Sequence, residues 1–281
     1  MAKYKVCSVV TKFWRPQEDY LSCIVGAIRG KVVDGDFVVV SEKAISTAQG
    51  NIVDESSVVA GVSARLLAGF WMRVVWGYCL GVMCRFGVRL LERLRGYPLE
   101  FGSKHKQVVL EQAGLLQALM FGSEGAIDGS NLPYALVSLP LKNAQAIAEQ
   151  IQREIHHCLG KRVRVIIVDT DKTYRLGSFC FTPRPKPFKG IHCFRRLALF
   201  AYVLGKFLRL PESSTPLAVT GFKGDLLEVL KIANIADRMR GAGSGATVWD
   251  MAARFQVPVN EVTWDMLFQI EHKPIVIVRK I

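Results

Sequence analysis

The stretch Asn143–Asp171, NAQAIAEQIQREIHHCLGKRVRVIIVDTD, decides the fold class. Ala144, Ile147, Ala148, Ile151, Ile155 and Leu159 recur every three or four residues, which predicts the apolar face of a helix that begins at Asn143 and stops at Gly160. Arg164-Val165-Ile166-Ile167-Val168 then reads as a buried strand that ends abruptly at Asp169-Thr170-Asp171. A helix, a tight turn, an apolar strand and an acidic tip follow one another within 29 residues.

Working outward, Tyr4–Val10 alternates and predicts a strand, and Gln17–Arg29 predicts a helix carrying Leu21, Ile24, Val25 and Ile28 on one face. Asp34-Gly35-Asp36 reads as a turn into the apolar strand Phe37–Val40. The segment Ser41–Gly50 reads as a polar loop behind that strand, where α/β proteins place ligand-binding groups. Residues 56–96 read as helical, Lys104–Leu110 as a loop and a strand, and Ala126–Pro133 as a polar turn. Downstream come a basic, proline-stiffened loop (Thr182–Gly190), a helix (Arg195–Leu210) and a strand (Leu217–Thr220). A helix (Asp225–Met239), two short helices near 248–255 and 261–268, and a terminal strand (Pro274–Arg279) complete the chain. Strands and helices mix without a strict βαβ repeat, so the expected class is α+β, in one continuous unit with two lobes.

Composition bounds the function classes. Half of the 281 residues are hydrophobic, which excludes a disordered chain, and the length suffices to bury a core without disulfide staples. The net charge of +13 favours anionic ligands such as nucleotide phosphates, an acidic coenzyme, RNA or an anionic membrane surface. Seven cysteines without a C-x-x-C pair fit reduced thiols in a cytoplasmic protein and argue against zinc or a disulfide framework. Leu66–Leu94 is apolar and aromatic, but Arg73, Arg85 and Arg89 interrupt it. The expectation is buried helices or a subunit interface, with membrane-surface association second and a true span last.

Asp128, Asp169 and Thr170 are the candidate metal ligands, since Mg²⁺ and Mn²⁺ take carboxylate and hydroxyl oxygens. Both aspartates sit equally well in turns that need no ligand. Gly241, Gly243 and Gly245 follow a helix and read either as a C-cap loop or as backbone that approaches phosphates. His105, His156, His157, His192 and His272 show no metal-ligand spacing. The absence of a nucleophile elbow leaves acyl-enzyme hydrolysis without support.

Three segments in order, SEKAISTAQGNIVD (41–54), AIDGSNLP (126–133) and VRVIIVDTDKTYRLG (163–177), resemble the CofE family of coenzyme F(420)-0:L-glutamate ligases, the γ-glutamyl ligases. The closing PIVIVR strand is similar as well, whereas residues 62–100 and 244–270 look expanded. The resemblance implies an α+β mixed-sheet fold, a homodimer, and an enzyme dependent on GTP and on Mg²⁺ or Mn²⁺. Such an enzyme activates a carboxylate as an acyl phosphate and joins it to L-glutamate, the acid being an anionic coenzyme precursor. By position it implies Asp128, Asp169 and Thr170 as metal ligands and Asn131 as a nucleotide contact. Ser41, Glu42, Lys43 and Thr47 then fall on the GTP loop, and Thr11 and Trp14 on the N-terminal contact; no catalytic residue is assigned. Two departures stand out: Thr47 replaces a family lysine, for which Lys43 is the neighbouring substitute, and Asp171–Leu176 replaces a different family segment. The alternatives are a non-catalytic nucleotide-binding relative, and a basic protein of RNA or membrane surfaces.

Overall fold

Hydrophobic strands set the order of the architecture. The computed structural model describes residues 3–122, 124–222 and 224–281, with Arg195 described by its backbone alone. Among these residues nine strands form: β1 (Tyr4–Thr11), β2 (Phe37–Ser41), β3 (Ile52–Asp54), β4 (Leu136–Ser138), β5 (Arg164–Leu176), β6 (Phe179–Thr182), β7 (His192–Cys193), β8 (Glu212–Val219) and β9 (His272–Lys280). The class is α+β, as the sequence predicts.

The chain forms two compact units, each discontinuous in sequence. The first comprises Met1–Val53, Asp128–Thr170 and Ser213–Ile281. Its sheet runs β1-β9-β2-β5, with β8 paired to β5. β1 and β2 lie antiparallel to β9, whereas β2 and β5 are parallel, with Phe37 opposite Arg164 and Ser41 opposite Val168. Strands covered on both faces must be apolar throughout, and Val38–Val40, Val165–Val168 and Ile275–Val278 are buried accordingly. One face packs under Ile147, Ala148, Ile151 and Ile155 of helix Ala144–Leu159 and under Ile24, Val25 and Ile28 of helix Tyr20–Ile28. Helix Leu226–Arg240 packs against β1 and β9. Gly160 closes helix Ala144–Leu159 at φ +65°, a left-handed conformation that glycine adopts without a side-chain clash.

The second unit comprises Asp54–Ile127 and Asp171–Glu212. Here the end of β5 turns at Gly177 (φ +60°) into β6, pairing Tyr174 with Phe181 and Leu176 with Phe179. A helical run, Val62–Met83, is bonded i→i+5 over Leu67–Leu80, and helices Val88–Arg95, Leu99–Ala113 and Ala198–Phe207 accompany it. Its core is aromatic: the Trp76 ring lies 5.9 Å from Phe86, 6.0 Å from Phe121 and 5.9 Å from Tyr202. The indole N–H groups of Trp71 and Trp76 both donate to the Leu119 carbonyl at 2.8 Å.

Three expectations change. Ser41–Gly50 is not a loop: Glu42–Ala48 is a helix whose Ala44, Ile45 and Ala48 enter the core. Its polar residues find partners far away in sequence, as when the Ser46 hydroxyl donates to the Leu139 carbonyl at 2.5 Å. Lys104–Leu110 lies inside helix Leu99–Ala113, because a short apolar run such as Val108-Val109-Leu110 suits either period. Finally, β5 does not stop at Asp169 but continues to Leu176. The seven cysteines are all free thiols.

Candidate active site

The parallel pairing of β2 with β5 ends at Ser41 and Val168, while β5 itself runs on to Leu176. The helix of Glu42–Ala48 leaves directly from the first, and Asp169-Thr170 follows the second. The carboxyl ends of parallel strands are where open α/β sheets bind ligands. Lys43, on the first turn of that helix, reaches Asp128: its Nζ lies 2.5 Å from Asp128 Oδ2, 2.8 Å from the Ser130 carbonyl and 2.6 Å from Ser130 Oγ. Lys43 therefore ties the turn at 128–131 to the end of β2, next to the residue that precedes Asp169.

Asp128 is fixed from both sides. Its backbone exchanges hydrogen bonds with Ser138, and its Oδ1 accepts from the Ser130 N–H at 2.7 Å, closing an Asx turn. Partial burial pushes its pKa up, but the charge and hydrogen bond of Lys43, with the hydrogen bonds from Ser130, carry it below the ordinary carboxylate value. The carboxylate is thus ionised at neutral pH and holds a cation, the lysine ammonium, together with two further oxygens. Carboxylate, carbonyl and hydroxyl are the donors that Mg²⁺ and Mn²⁺ prefer, so the donor set fits such an ion. An ion on the same carboxylate oxygen must displace the ammonium, because the two like charges exclude one another.

Asn131, at φ +61°, shapes the glycine-rich loop. Its Oδ1 accepts from the N–H and hydroxyl of Ser244 at 2.6 and 2.7 Å, and its Nδ2 donates to the carbonyls of Ala242 and Gly245. The Asx turn of 128–131 and the loop of 241–245 are therefore one rigid construction.

The N-terminal contact lies beside β9. His272 stacks on Phe13 (ring centroids 4.3 Å apart) and meets Trp14 edge-on. Its Nδ1 donates to the Lys12 carbonyl at 3.0 Å, which leaves the Nε2 lone pair when the ring is neutral. Burial lowers its pKa to about 4; the Lys12 bond opposes this, and the charges of Arg240 and Lys43 add to it. Trp14 Nε1 and Arg240 Nη1 are buried donors without a partner among the described residues. Arg240 Nη2 pairs with Asp237 Oδ1 at 2.5 Å, and Asp237 Oδ2 accepts from the Ser214 hydroxyl.

Of the residues named from sequence, Lys43, Asp128 and Asn131 are thus brought into one bonded construction. Thr11 donates its hydroxyl to Lys12 O, and Thr170 Oγ1 lies 3.5 Å from Asp169 Oδ1. Glu42 is buried, its Oε1 accepting the Leu141 N–H at 2.8 Å, and Thr47 is buried too. Sequence reasoning missed Ser130, Arg240 and His272; the bonds of Ser130 to Lys43 and of His272 to Lys12 span 87 and 260 positions and leave no local pattern. It also missed that Glu154, His157 and Cys158 share one face of a helix at ligand-like spacing; this is an exposed cluster without a further sign of a ligand.

A family model described as F420-0:Gamma-glutamyl ligase matches residues 9–197. The chain belongs to that family. It is also 34% identical over 283 residues to the uncharacterized protein MJ1361 of Methanocaldococcus jannaschii, covering 96% of this chain and 94% of that protein. Membership in the F420-0:gamma-glutamyl ligase family supports a ligase role. The match includes Thr11, Trp14, Lys43, Asp128, Asn131, Asp169 and Thr170, and it ends before Arg240, the 241–245 loop and His272.

Proposed function

We propose that this protein joins a carboxylic acid to an amine through an acyl phosphate, at the expense of a nucleoside triphosphate and with Mg²⁺ or Mn²⁺. In this reading the nucleotide is GTP, the amine is that of L-glutamate, and the acid is coenzyme F(420)-0 or a related anionic acid. A carboxylate oxygen of the acid attacks the γ-phosphorus, the bond to the β-phosphate oxygen breaks, and GDP leaves. The amine nitrogen then attacks the acyl carbon, the carbon–oxygen bond to phosphate breaks, and orthophosphate and an amide result; the amine gives up its proton.

The observation that carries this reading is the cradle of Asp128 and Ser130 around the Lys43 ammonium, beside the end of the parallel strand pair. Asp128 would hold the divalent ion, with Asp169 and Thr170 assigned to it by family resemblance. The ion, when bound, neutralises charge on the transferring phosphoryl group. Lys43, released from Asp128, supplies a positive charge of the kind that Thr47 no longer offers. Asn131 holds the 241–245 loop in shape, and the unused donors of Trp14 and Arg240 suit anionic oxygens.

The test is turnover. The full chain is incubated with GTP or ATP, with Mn²⁺ or Mg²⁺, and with a panel of carboxylic acids and amino acids. Nucleoside diphosphate release that needs both acid and metal, with a new amide mass, is expected. Asp128→Asn should abolish it while leaving the melting temperature close to the parent's. Nucleotide binding without any turnover across the panel would favour a non-catalytic relative.

A further inference from the structure

Helix Val62–Met83 carries two apolar faces, only one of which is buried among the described residues. Ala64, Ala68, Met72 and Trp76 are fully buried, and Cys84, just beyond the helix, continues the row. Offset by two positions, Val62, Leu66, Phe70, Val74, Tyr78 and Val82 are all exposed, by 44 to 74%. Both rows repeat every four residues. An α-helix would rotate such a row by about 40° per step. The i→i+5 bonding of Leu67–Leu80 lengthens the turn and reverses the sense of that drift, and the observed burial leaves one row covered and the other exposed. The helix thus presents an apolar stripe, from Val62 to Val82, that stays exposed among the described residues. Contiguous exposed patches of this kind mark interaction sites.

Charge decides between occupants. The second unit carries 17 Lys and Arg against 8 Asp and Glu, a net +9 of the chain's +13. Arg65 on the helix is exposed, as are Arg85 and Arg89 just after it. A second copy would set one basic unit against another, whereas an anionic lipid surface offers both the opposite charge and an apolar interior. The helix is long and apolar enough to cross a bilayer, but its other face is committed to the protein core through Met72 and Trp76.

We propose that helix Val62–Met83 lies in the plane of an anionic lipid surface, its exposed stripe in the headgroup region and its flanking arginines on lipid phosphates. The full chain is floated with vesicles of phosphatidylcholine alone and with about a third phosphatidylserine, a content that gives a strongly negative surface. Binding to the anionic vesicles only, weakened by salt and reduced about tenfold in Leu66→Ser/Phe70→Ser, is the expected result. Both side chains are exposed, so an unchanged melting curve controls for folding. Three results would overturn the proposal: equal binding to both vesicles, no binding to either, or a dimer in sedimentation that the double substitution converts to monomer without any vesicle binding. The last would make the stripe a contact between copies.

Discussion

Asn131 and Ser244, 113 positions apart, are joined through a single oxygen: Asn131 Oδ1 accepts both the backbone N–H and the hydroxyl of Ser244. The other half of the amide donates to the same loop, at Ala242 and Gly245. A turn that the sequence presents as a surface feature therefore acts as the clamp of a glycine-rich loop. Gly243 lies inside that clamp at φ +61°, and a Cβ there would collide with the Asn131 amide.

Gly243→Ala should accordingly open the clamp. Left-handed strain and the collision together predict a loss of about 1–3 kcal/mol of stability, read by denaturant unfolding. Nucleotide affinity, if the proposed function holds, should fall with it. A substitution without effect on either would show that the loop tolerates release from Asn131.

In the second unit, Glu124 Oε2 accepts from Lys106 Nζ and from His105 Nε2, both at 3.0 Å, while His105 Nδ1 meets Glu55 Oε1 at 2.6 Å. Lys106 has no exposure, and its remaining donors go to the carbonyls of Ala118 and Met120. Removing Glu124 strands that ammonium. Glu124→Ala should cost about 3–5 kcal/mol in unfolding free energy, and adding Lys106→Met should restore part of it. A double variant no more stable than the single one would contradict this account.

Two histidines should titrate on opposite sides of the ordinary value. Burial pulls the His105 pKa down, but Glu55 and Glu124 outweigh it and raise it to about 10, whereas burial lowers that of His272 to about 4. Burial likewise pushes Glu124 up, and Lys106 and His105 overcome it, bringing it to about 2. The signs follow from linkage. The His105 contribution is complete below about pH 6.5 and is lost as pH rises toward 10. The Glu124 contribution is present above about pH 4.5 and is lost as pH falls toward 2. His272 weakens the fold as pH falls from about 6.5 to 4, since the unfolded chain takes up that proton first. Histidine NMR titration should show midpoints near these values, and a midpoint near 6.5 for either ring would contradict the arrangement.

Much of the first unit was legible because its strands and helices obey simple periods. Val38–Val40, Val165–Val168 and Ile275–Val278 are too apolar for anything but a doubly covered sheet, and Asn143–Gly160 carries its own start, stripe and stop. Helix Glu42–Ala48 was not legible, because Glu42 and Ser46 look solvated until Leu141 and Leu139 arrive from about 93 to 99 positions away. The four-residue repeat of 62–84 was visible only as hydrophobicity, since its sequence does not reveal a backbone rarer than the α-helix. Asp128 was readable as a possible ligand from its turn chemistry. That Lys43 would occupy it, and that His272 and Arg240 would stand nearby, depends on contacts with no local signature.

Direct measurement of Mn²⁺ binding by electron paramagnetic resonance, on the parent, Lys43→Met and Asp128→Asn proteins with and without GTP, tests the proposed cation site most sharply. Lys43→Met should bind Mn²⁺ about tenfold more tightly than the parent without nucleotide, since the competing ammonium is gone, and Asp128→Asn should lose the ion in both conditions. Equal Mn²⁺ affinity in all three proteins would show that the Lys43–Asp128 pair is a structural ion pair and that no divalent ion belongs there.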